Sequence, residues 1–397
     1  MPIVKSYFKY YIPMYILGSG INILHYGLYM QGVWNKFANL IVDYCTGVRN
    51  LDEVLISASY EAYPLIIEVF KEVVKRGGYP RLMLNDDVIS EIFYRYAPQE
   101  LLKYLSPIDK YIMENIGVRI SIISSMHTKP LVSIEPEKRR IREQALRELR
   151  EVFMKRESSG DLRWVVTIYP TKALAQEAGM SPLEFEEFII KAVKIHKEDP
   201  VKAWIEQMTE QQKIIEFLSK TDEIKIVDED TNLTLKVGGR IWVNDDGKNN
   251  MPGGEVFTAP YEDSAEGFIT FSYPAIYGGT EVEGVKLVFG RGQVIEAKAI
   301  KGEEFLKKML DVDEGAKRIG EFAFGLNYDI NRFTKQILLD EKIGGTIHLA
   351  LGASYPRTKG INKSAIHWDM IKDLRKGVVY VDKDLVYRNG KFIVEVL

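Results

Sequence analysis

The chain has 397 residues, of which 46% are hydrophobic and 27% are charged, so it is long enough for two or three domains with sizeable cores. Its formal net charge of −3 provides no clustered positive field for a nucleic-acid backbone, which argues against a nucleic-acid partner. Cys45 is the single cysteine, which excludes an intrachain disulfide and a thiolate-rich metal site.

The sequence contains no apolar run of the about 18 residues that a membrane span needs. The nearest candidate, residues 11–24, is interrupted by Pro13 and by the Gly-Ser-Gly run at 18–20. It also lacks the cleavage site of a secretory signal. We therefore expect a cytoplasmic protein with no membrane partner, and a reducing compartment agrees with the cysteine content.

Strand and helix patterns alternate through the first half of the chain. Val54–Ala58 is an apolar strand, a helical pattern follows over Tyr63–Val74 and stops at Gly77-Gly78, and Tyr79–Leu84 is a second strand. A strand, helix and strand in this order predict a βαβ unit and hence a parallel sheet. Further strands are predicted at 118–124 and 164–169, and further helices at 34–45, 136–153, 171–177 and 182–197.

The pattern changes after Lys220, where short β-rich runs alternate with glycine-containing turns. We expect residues 30–220 to form an N-terminal parallel-sheet α/β domain and residues 221–397 to form a C-terminal β-rich α+β domain. Residues 1–29 are rich in tyrosine but have no period and no motif, and we expect them to lie outside the catalytic fold. The alternative is a short arm whose aromatic side chains pack on the α/β domain or across a dimer.

General catalytic motifs do not account for the α/β half. The sequence has no complete dinucleotide fingerprint, no phosphate-binding loop and no Gly-x-Ser-x-Gly nucleophile elbow. The candidate chemistry lies in the second half, where His348 sits in an otherwise apolar strand-like run and His367-Trp368-Asp369 follows. In an extended segment, residues 367 and 369 share one face, so imidazole and carboxylate can point at one centre.

Three glutamates occur in similarly apolar surroundings: Glu255 after a Gly-Gly turn, Glu321 after Gly320, and Glu341 before Gly344-Gly345. Such a set of carboxylates and imidazoles carries too much negative charge to be buried without cations. It suits zinc, cobalt or manganese and can hold two ions. For Glu341, a surface position is equally compatible with the sequence.

Several of these segments resemble the signature of the aminopeptidase T, AmpS and PepS family of metallopeptidases. They are Asn250–Pro260, Gly320–Glu321, His348–Gly352, Tyr355–Pro356 and His367–Asp369. The first of these is long and specific, the others follow in the expected order, and weaker likeness extends back to about Met30. The resemblance implies an exopeptidase with an N-terminal α/β domain, two divalent ions in a C-terminal catalytic domain, and a homodimer.

The resemblance also assigns roles to individual residues. It matches Tyr355 to the catalytic tyrosine. It matches five residues to metal ligands: Glu255, Glu321, His348, His367 and Asp369. Glu341 corresponds to a glutamate shortly before the ligand histidine, and it is the sixth candidate metal ligand. The implied reaction removes N-terminal residues from peptides with a free N-terminus through attack of a metal-activated water on the first peptide bond. Glu321 or Asp369 would bridge the ions, and Glu341 would serve as a ligand or as the general base.

Two other functions remain open at this point. The chain could be a non-peptidase ligand-binding protein with a structural metal, or a dinuclear amidohydrolase that acts on a non-peptide amide. Hydrolysis of aminoacyl-arylamides that is sensitive to a chelator would distinguish these alternatives from an aminopeptidase.

Overall fold

A computed structural model describes residues 32–393. The tyrosine-rich segment 1–29 lies outside the described residues. Residues 32–39 are helical and continue into a π-helix, Leu40–Cys45. The helices that follow are α1 (Tyr63–Lys75), α2 (Asp87–Tyr96), α3 (Gln99–Lys103), α4 (Pro107–Asn115), α5 (Pro136–Ala145), α6 (Arg147–Ser158), α7 (Lys172–Glu177), α8 (Pro182–Ala192), α9 (Pro200–Leu218), α10 (Glu303–Leu310) and α11 (Ile337–Asp340).

The strands divide into four groups. In chain order they are β1 (Glu53–Ala58), β2 (Tyr79–Leu84), β3 (Val118–Ile123), β4 (Arg163–Ile168), β5 (Glu223–Asp228), β6 (Thr231–Lys236), β7 (Val243–Asp245), β8 (Asn250–Met251), β9 (Glu255–Thr258), β10 (Glu266–Thr270), β11 (Ala275–Tyr277), β12 (Thr280–Val282), β13 (Lys286–Gly290), β14 (Gln293–Lys298), β15 (Ile319–Gly325), β16 (Thr346–Gly352), β17 (His367–Asp373), β18 (Val378–Val381), β19 (Asp384–Arg388) and β20 (Lys391–Phe392).

The first half folds around a five-stranded parallel sheet with strand order β2-β1-β3-β4-β8. This confirms the parallel sheet and the four strands predicted for this half. The fifth strand, β8, comes from beyond Lys220 and was not predicted, because a two-residue strand has no period to recognise. Thr167 fixes it in place by donating a hydrogen bond from Oγ1 to the Met251 carbonyl at 2.7 Å.

The second half contains an eight-stranded sheet, a two-stranded hairpin and a five-stranded antiparallel sheet with strand order β17-β16-β15-β9-β7. Apolar side chains from the eight-stranded sheet and from the five-stranded antiparallel sheet share one buried core. The parallel sheet and its helices form a separate core. Mixed α/β architecture with a β-rich second half is therefore confirmed.

One helix prediction was wrong. The pattern over 136–153 predicted a single helix, whereas the chain forms α5 and α6 with a break at Leu146. The two helices pack in different places: Ile141 of α5 contacts a cluster with Ala97 and Leu102, and Phe153 of α6 packs on a cluster that includes Leu162. Within residues 32–393, no helix has both the length and the apolar character needed to cross a membrane.

Candidate metal centre

One face of the five-stranded antiparallel sheet gathers acidic and imidazole side chains. Directly opposed residues of an antiparallel pair point to the same face, as do residues two apart on one strand. Ala323 lies opposite His348, and Gly325 lies opposite Glu255. Ala350 lies opposite both Glu321 and Asp369. The potential donors therefore share a face with small residues at its centre.

The opposite face of the same sheet is apolar. Its side chains belong to the core shared with the eight-stranded sheet, and they include Phe322, Phe324, Ile347, Leu349, Trp368 and Met370. Burial of this face fixes the register, because a slip of one residue would move every aromatic side chain to the polar face. The alternation of the sequence thus determines which side chains can meet at the site.

Glycines allow the strands to approach one another at the edge of the site. Gly254, just before Glu255, has φ of +117°, and an added Cβ would lie 2.6 Å from the Asn327 Cβ. Gly325 has no room for a Cβ either, because that atom would lie 2.3 Å from the Ile343 carbonyl oxygen. Larger residues at these two positions would displace the backbone that carries Glu255.

Glu341 reaches the site from a loop rather than from a strand. It follows α11, whose last residue, Asp340, accepts hydrogen bonds from the Thr334 amide at 2.7 Å and from Thr334 Oγ1 at 2.8 Å. Burial raises the pKa of Asp340 to about 8. These two hydrogen bonds anchor the end of α11 and thereby the backbone from which Glu341 extends.

All six ligands predicted from the sequence lie together. They form two groups of three, in each of which the donor atoms are within 4.8 Å of one another: Glu255, Glu341 and His348, and Glu321, His367 and Asp369. The groups adjoin, since His348 Nε2 lies 3.6 Å from Glu255 Oε2 and 3.1 Å from Glu321 Oε1. His367 Nε2 lies 3.6 Å from Asp369 Oδ1 and 3.9 Å from Glu321 Oε2.

Backbone carbonyls orient both imidazoles. His348 Nδ1 is 3.1 Å from the Glu341 carbonyl oxygen, and His367 Nδ1 is 2.8 Å from the Ala353 carbonyl oxygen. When the imidazole is neutral, an Nδ1–H that donates to a carbonyl leaves Nε2 as the nitrogen that can bind a metal. In both residues Nε2 is the atom that faces the carboxylates, which is the arrangement typical of a metal-ligating histidine.

The carboxylates of the site are buried and incompletely satisfied. Among the described residues, Glu255 Oε2, Glu321 Oε2 and Asp369 Oδ1 have no hydrogen-bond partner. Burial raises the pKa of Glu255 and of Asp369. Burial would lower the pKa of His348, but the hydrogen bond with Glu321 and the charges of Glu255 and Asp369 outweigh it and raise that pKa to about 10. Burial thus raises the pKa of the two carboxyl groups, and negative charge raises the pKa of His348. Divalent cations would offset both effects, because they stabilise ionised carboxylates in a buried site.

Lys342 and Asp245 also belong to the site, although no sequence motif marks either residue. Lys342 is fully buried, with its Nζ 3.4 Å from Asp245 Oδ2 and 3.5 Å from Glu255 Oε1, and it also contacts Glu341. Asp245 precedes Asp246-Gly247 and resembles an ordinary turn residue, and Lys342 has no motif around it. The register of β7 with β9, which places Asp245 opposite Glu255, was the missing information.

Tyr355 borders the same site. Its ring centroid lies 5.2 Å from that of His367 and 5.9 Å from that of Phe257. Burial, followed by the charges of Glu321 and Asp369, raises the pKa of the Tyr355 phenol far above its ordinary value. Like an ordinary tyrosine, Tyr355 is protonated at neutral pH, and its phenol can donate a hydrogen bond to an oxygen held beside the carboxylates.

A cavity of about 670 Å³ opens onto these side chains. Its floor contains Glu255, Glu321, Asp369 and Tyr355, and the parallel sheet and α6 contribute much of its other wall. The apolar residues of that wall are Ile123, Phe153, Met154, Trp164 and Val166, and α6 adds the polar residues Lys155, Glu157 and Ser158. The site is thus a cleft with a charged floor and an apolar wall, large enough for several atoms of a small ligand.

A donor set of carboxylates and imidazoles with unpaired buried oxygens defines a metal-binding enzyme site. Comparison with known proteins agrees with this class. The sequence model of the thermophilic metalloprotease family, M29, matches residues 31–392. The chain therefore belongs to this family and is a metal-dependent peptidase, as the motifs of the second half indicated.

Several relatives are named aminopeptidases. Aminopeptidase 2 of Geobacillus stearothermophilus is 26% identical over 409 residues, which is 91% of this chain and 98% of the relative. Aminopeptidase AmpS of Bacillus subtilis is 25% identical over 405 residues, covering 90% of this chain and 98% of the relative. Aminopeptidase T of Thermus thermophilus is 31% identical over 256 residues, covering 57% and 60%.

Solved structures support the fold. Wild-type AmpT from Thermus thermophilus matches with a TM-score of 0.80 and 24% identity, covering 92% of this chain and 100% of that chain. A 2,5-dihydroxypyridine dioxygenase from Pseudomonas putida matches with a TM-score of 0.55 and 14% identity, covering 92% and 98%. At these identities both matches bear on architecture alone, and the second indicates that the architecture accommodates another chemistry.

Proposed function

We propose that this chain is a metal-dependent aminopeptidase that removes residues from the free N-terminus of peptides. The observation that carries the proposal is the pair of adjoining three-donor groups on the floor of a cavity with an apolar wall. Its setting is a family of metal-dependent peptidases in which relatives matched over nearly their whole length are aminopeptidases.

The two donor groups support two divalent ions, with zinc, cobalt and manganese as the candidates. Bound ions would supply a water of lowered pKa and polarise the scissile carbonyl. Glu255, Glu341 and His348 would hold one ion, and Glu321, His367 and Asp369 the other. Glu321 is the favoured bridging residue, because its two carboxylate oxygens lie near His348 and His367 respectively.

Tyr355 would stabilise the charge that develops on the substrate oxygen. A protonated phenol at the edge of the donor groups can donate a hydrogen bond to that oxygen as it becomes negative. The apolar wall excludes water from one side of the bound peptide, which strengthens this hydrogen bond. Recognition of the free α-amine would require a carboxylate that does not hold a metal, or a metal ion itself.

The test is hydrolysis of aminoacyl-arylamides before and after removal of metal. We expect EDTA to abolish activity and Zn²⁺, Co²⁺ or Mn²⁺ to restore it. N-acetylated versions of the same substrates are the control, because an aminopeptidase requires a free α-amine. Equal turnover of acetylated substrates would support an amidohydrolase instead, and metal binding without any turnover would support a ligand-binding protein with a structural metal.

We further propose a division near Lys220 into an α/β domain of residues 30–220 and a catalytic domain of residues 221–397, with residues 1–29 outside the catalytic fold. The presence of two hydrophobic cores supports two domains, and the family match that begins at residue 31 supports the last point. The chain crosses between the cores on both sides of the boundary, since Leu218 packs in the second core and Leu338 packs in the first. A chain that begins at Met30 should fold and hydrolyse peptides like the full chain. Insolubility or several-fold lower activity of that shorter chain would contradict the proposal.

A homodimer is part of the same proposal. The edge strand β2 and the adjoining α2 expose apolar side chains that a second subunit would cover, namely Leu84, Val88, Ile89, Ile92 and Tyr96. Exposed apolar patches of this kind are typical of interfaces. Sedimentation velocity should give a dimer, and Ile89→Asp should favour the monomer.

We also propose a cytoplasmic location, which cell fractionation would test.

A further inference from the structure

Lys342 supplies a cation that is already built into one of the two donor groups. Its side chain is fully buried, and a lysine in that position needs ionic partners to offset the loss of water. Those partners are the carboxylates of Asp245, Glu255 and Glu341. Two of the three are candidate ligands of the same ion.

The other donor group lacks such a cation. Among residues 32–393, Glu321 and Asp369 form ion pairs only with the imidazoles of the site, and neither pairs with a lysine or an arginine. The unpaired oxygens of both residues, Glu321 Oε2 and Asp369 Oδ1, lie in this group. The two groups therefore offer similar ligand types to an incoming ion but differ in the charge beside them.

The charges of the whole cluster balance only when Lys342 is counted. Five buried or half-buried carboxylates line it: Asp245, Glu255, Glu321, Glu341 and Asp369. With both histidines neutral as ligands, two divalent ions leave one negative charge, which a single ammonium matches. Asp245 is the carboxylate outside both donor groups, and its Oδ2 has no hydrogen-bond partner among the described residues.

We propose that Lys342 is a positioning residue that makes the two metal positions unequal. In the metal-free protein its ammonium serves as the counter-ion of Glu255 and Glu341. When an ion binds these two carboxylates, the ammonium moves to Asp245 Oδ2, which is already 3.4 Å away. The group of Glu321, His367 and Asp369 therefore binds its ion before the other group and more tightly, because no cation has to be displaced from it. This inference rests on the two-ion site of the proposed function.

The experiment is calorimetric titration of Co²⁺ into protein that has been treated with EDTA and dialysed. We expect two binding events whose dissociation constants differ by about tenfold or more, since like charges a few ångströms apart repel strongly inside a protein. Lys342→Met should tighten the weaker event by about tenfold and leave the tighter one unchanged. Asp245→Asn should weaken the weaker event, because the displaced ammonium loses its acceptor.

Lys372→Met is the matched control. Lys372 is also a buried lysine between carboxylates, with its Nζ 3.0 Å from Asp228 Oδ2 and 2.5 Å from Asp230 Oδ1. It lies on β17 with Asp369 but outside both donor groups. Its substitution should change neither binding event.

If Lys342→Met does not fold, titration of the wild-type protein and of two ligand variants still tests the inference. His367→Ala should remove the tighter event, and His348→Ala should remove the weaker one. Equal dissociation constants in the wild type, or a weaker second event in Lys342→Met, would overturn the inference. Activity of the same reconstituted samples separates it from the proposed function: equal affinities in an active aminopeptidase refute only the inference, whereas unequal affinities without peptide hydrolysis refute only the function.

Discussion

The parallel sheet and the five-stranded antiparallel sheet face the same cavity but contribute opposite chemistry. The parallel sheet offers Ile123 and Val166, which need no polar partner, and the indole of Trp164, which is apolar except for its N–H. The antiparallel sheet offers carboxylates and imidazoles, which cannot remain buried without cations. A sheet can carry such a charged face only when its other face supplies enough apolar burial, and here that face packs against the eight-stranded sheet.

Under the proposed function, the two sheets would have separate roles in the site. The antiparallel sheet would hold the groups that act on the peptide bond, while the parallel sheet would limit water and receive apolar parts of the substrate. Changes to the first should therefore affect catalysis and metal content, whereas changes to the second should affect substrate preference alone. The following predictions test that division.

The largest effect is expected from Glu321→Gln. This change keeps the shape of the side chain but removes a charge shared by both donor groups, so metal content should fall and kcat/KM should fall by about 10³-fold or more. Metal analysis and arylamide hydrolysis measure both quantities. Glu53→Gln makes the same chemical change on β1 of the parallel sheet, at a side chain paired with Arg81 on the surface, and should leave both unchanged.

Tyr355→Phe should leave metal content intact and lower kcat by about 10²–10³-fold, because one hydrogen bond to the developing oxyanion is lost. Tyr261→Phe is the control, since the Tyr261 hydroxyl bonds the Gly238 carbonyl outside the cavity. Unchanged kcat in Tyr355→Phe would assign this ring to packing against Phe257 and His367.

Met154→Ala should lower kcat/KM by about tenfold for substrates with a large apolar side chain and have little effect on alanyl substrates. Met154 lies on α6 in the apolar wall of the cavity. Met83→Ala is a matched control, because Met83 is exposed to a similar extent, 41% against 47%, but does not line the cavity. A change in metal affinity in Met154→Ala would contradict the division between the two walls.

The smallest expected effect is the change in folding stability of the metal-free protein with pH. The folded-state pKa is raised to about 7 for Asp245, where burial is the main cause, and to about 10 for His348. A raised folded-state pKa contributes stability that is complete below the unfolded pKa and lost as pH rises through the folded value. For His348 that window runs from pH 6.5 to about 10.

The melting temperature of EDTA-treated protein should therefore fall by a few degrees across this window. Metal-loaded protein should fall less, because its ligand histidines are already deprotonated. Differential scanning calorimetry of both forms at matched pH measures the difference. If the melting temperature of the metal-free protein rises toward pH 10, the folded-state pKa of His348 is not raised as described.

Much of this arrangement could be predicted from the sequence, and the reasons differ between regions. Strands β1 to β4 have continuous apolar runs bounded by turn residues, so their positions were predicted within one residue. The six candidate ligands stand in short apolar segments where a charge is conspicuous. Helices α2, α3 and α4 were not predicted, because α2 and α4 are amphipathic but have no buried side chains and α3 spans only five residues.

What could not be predicted depends on pairing between distant strands. Lys342 and Asp245 are nearly a hundred residues apart, and only the placement of β7 beside β9 brings Asp245 to the site. The break at Leu146 depends on two separate packing clusters rather than on a helix-breaking residue. These features are properties of the assembled fold, so a single sequence contains no local signal for them.

The alanines at the centre of the charged face have a consequence for how function can be lost. Ala323 and Ala350 are fully buried between the strands that carry the candidate ligands, and neither has a group that can bind or react. A valine at either position would occupy space above the sheet without altering a single donor. Inactive descendants of such an enzyme could therefore retain every carboxylate and imidazole, and an inventory of reactive residues would not distinguish them from active ones.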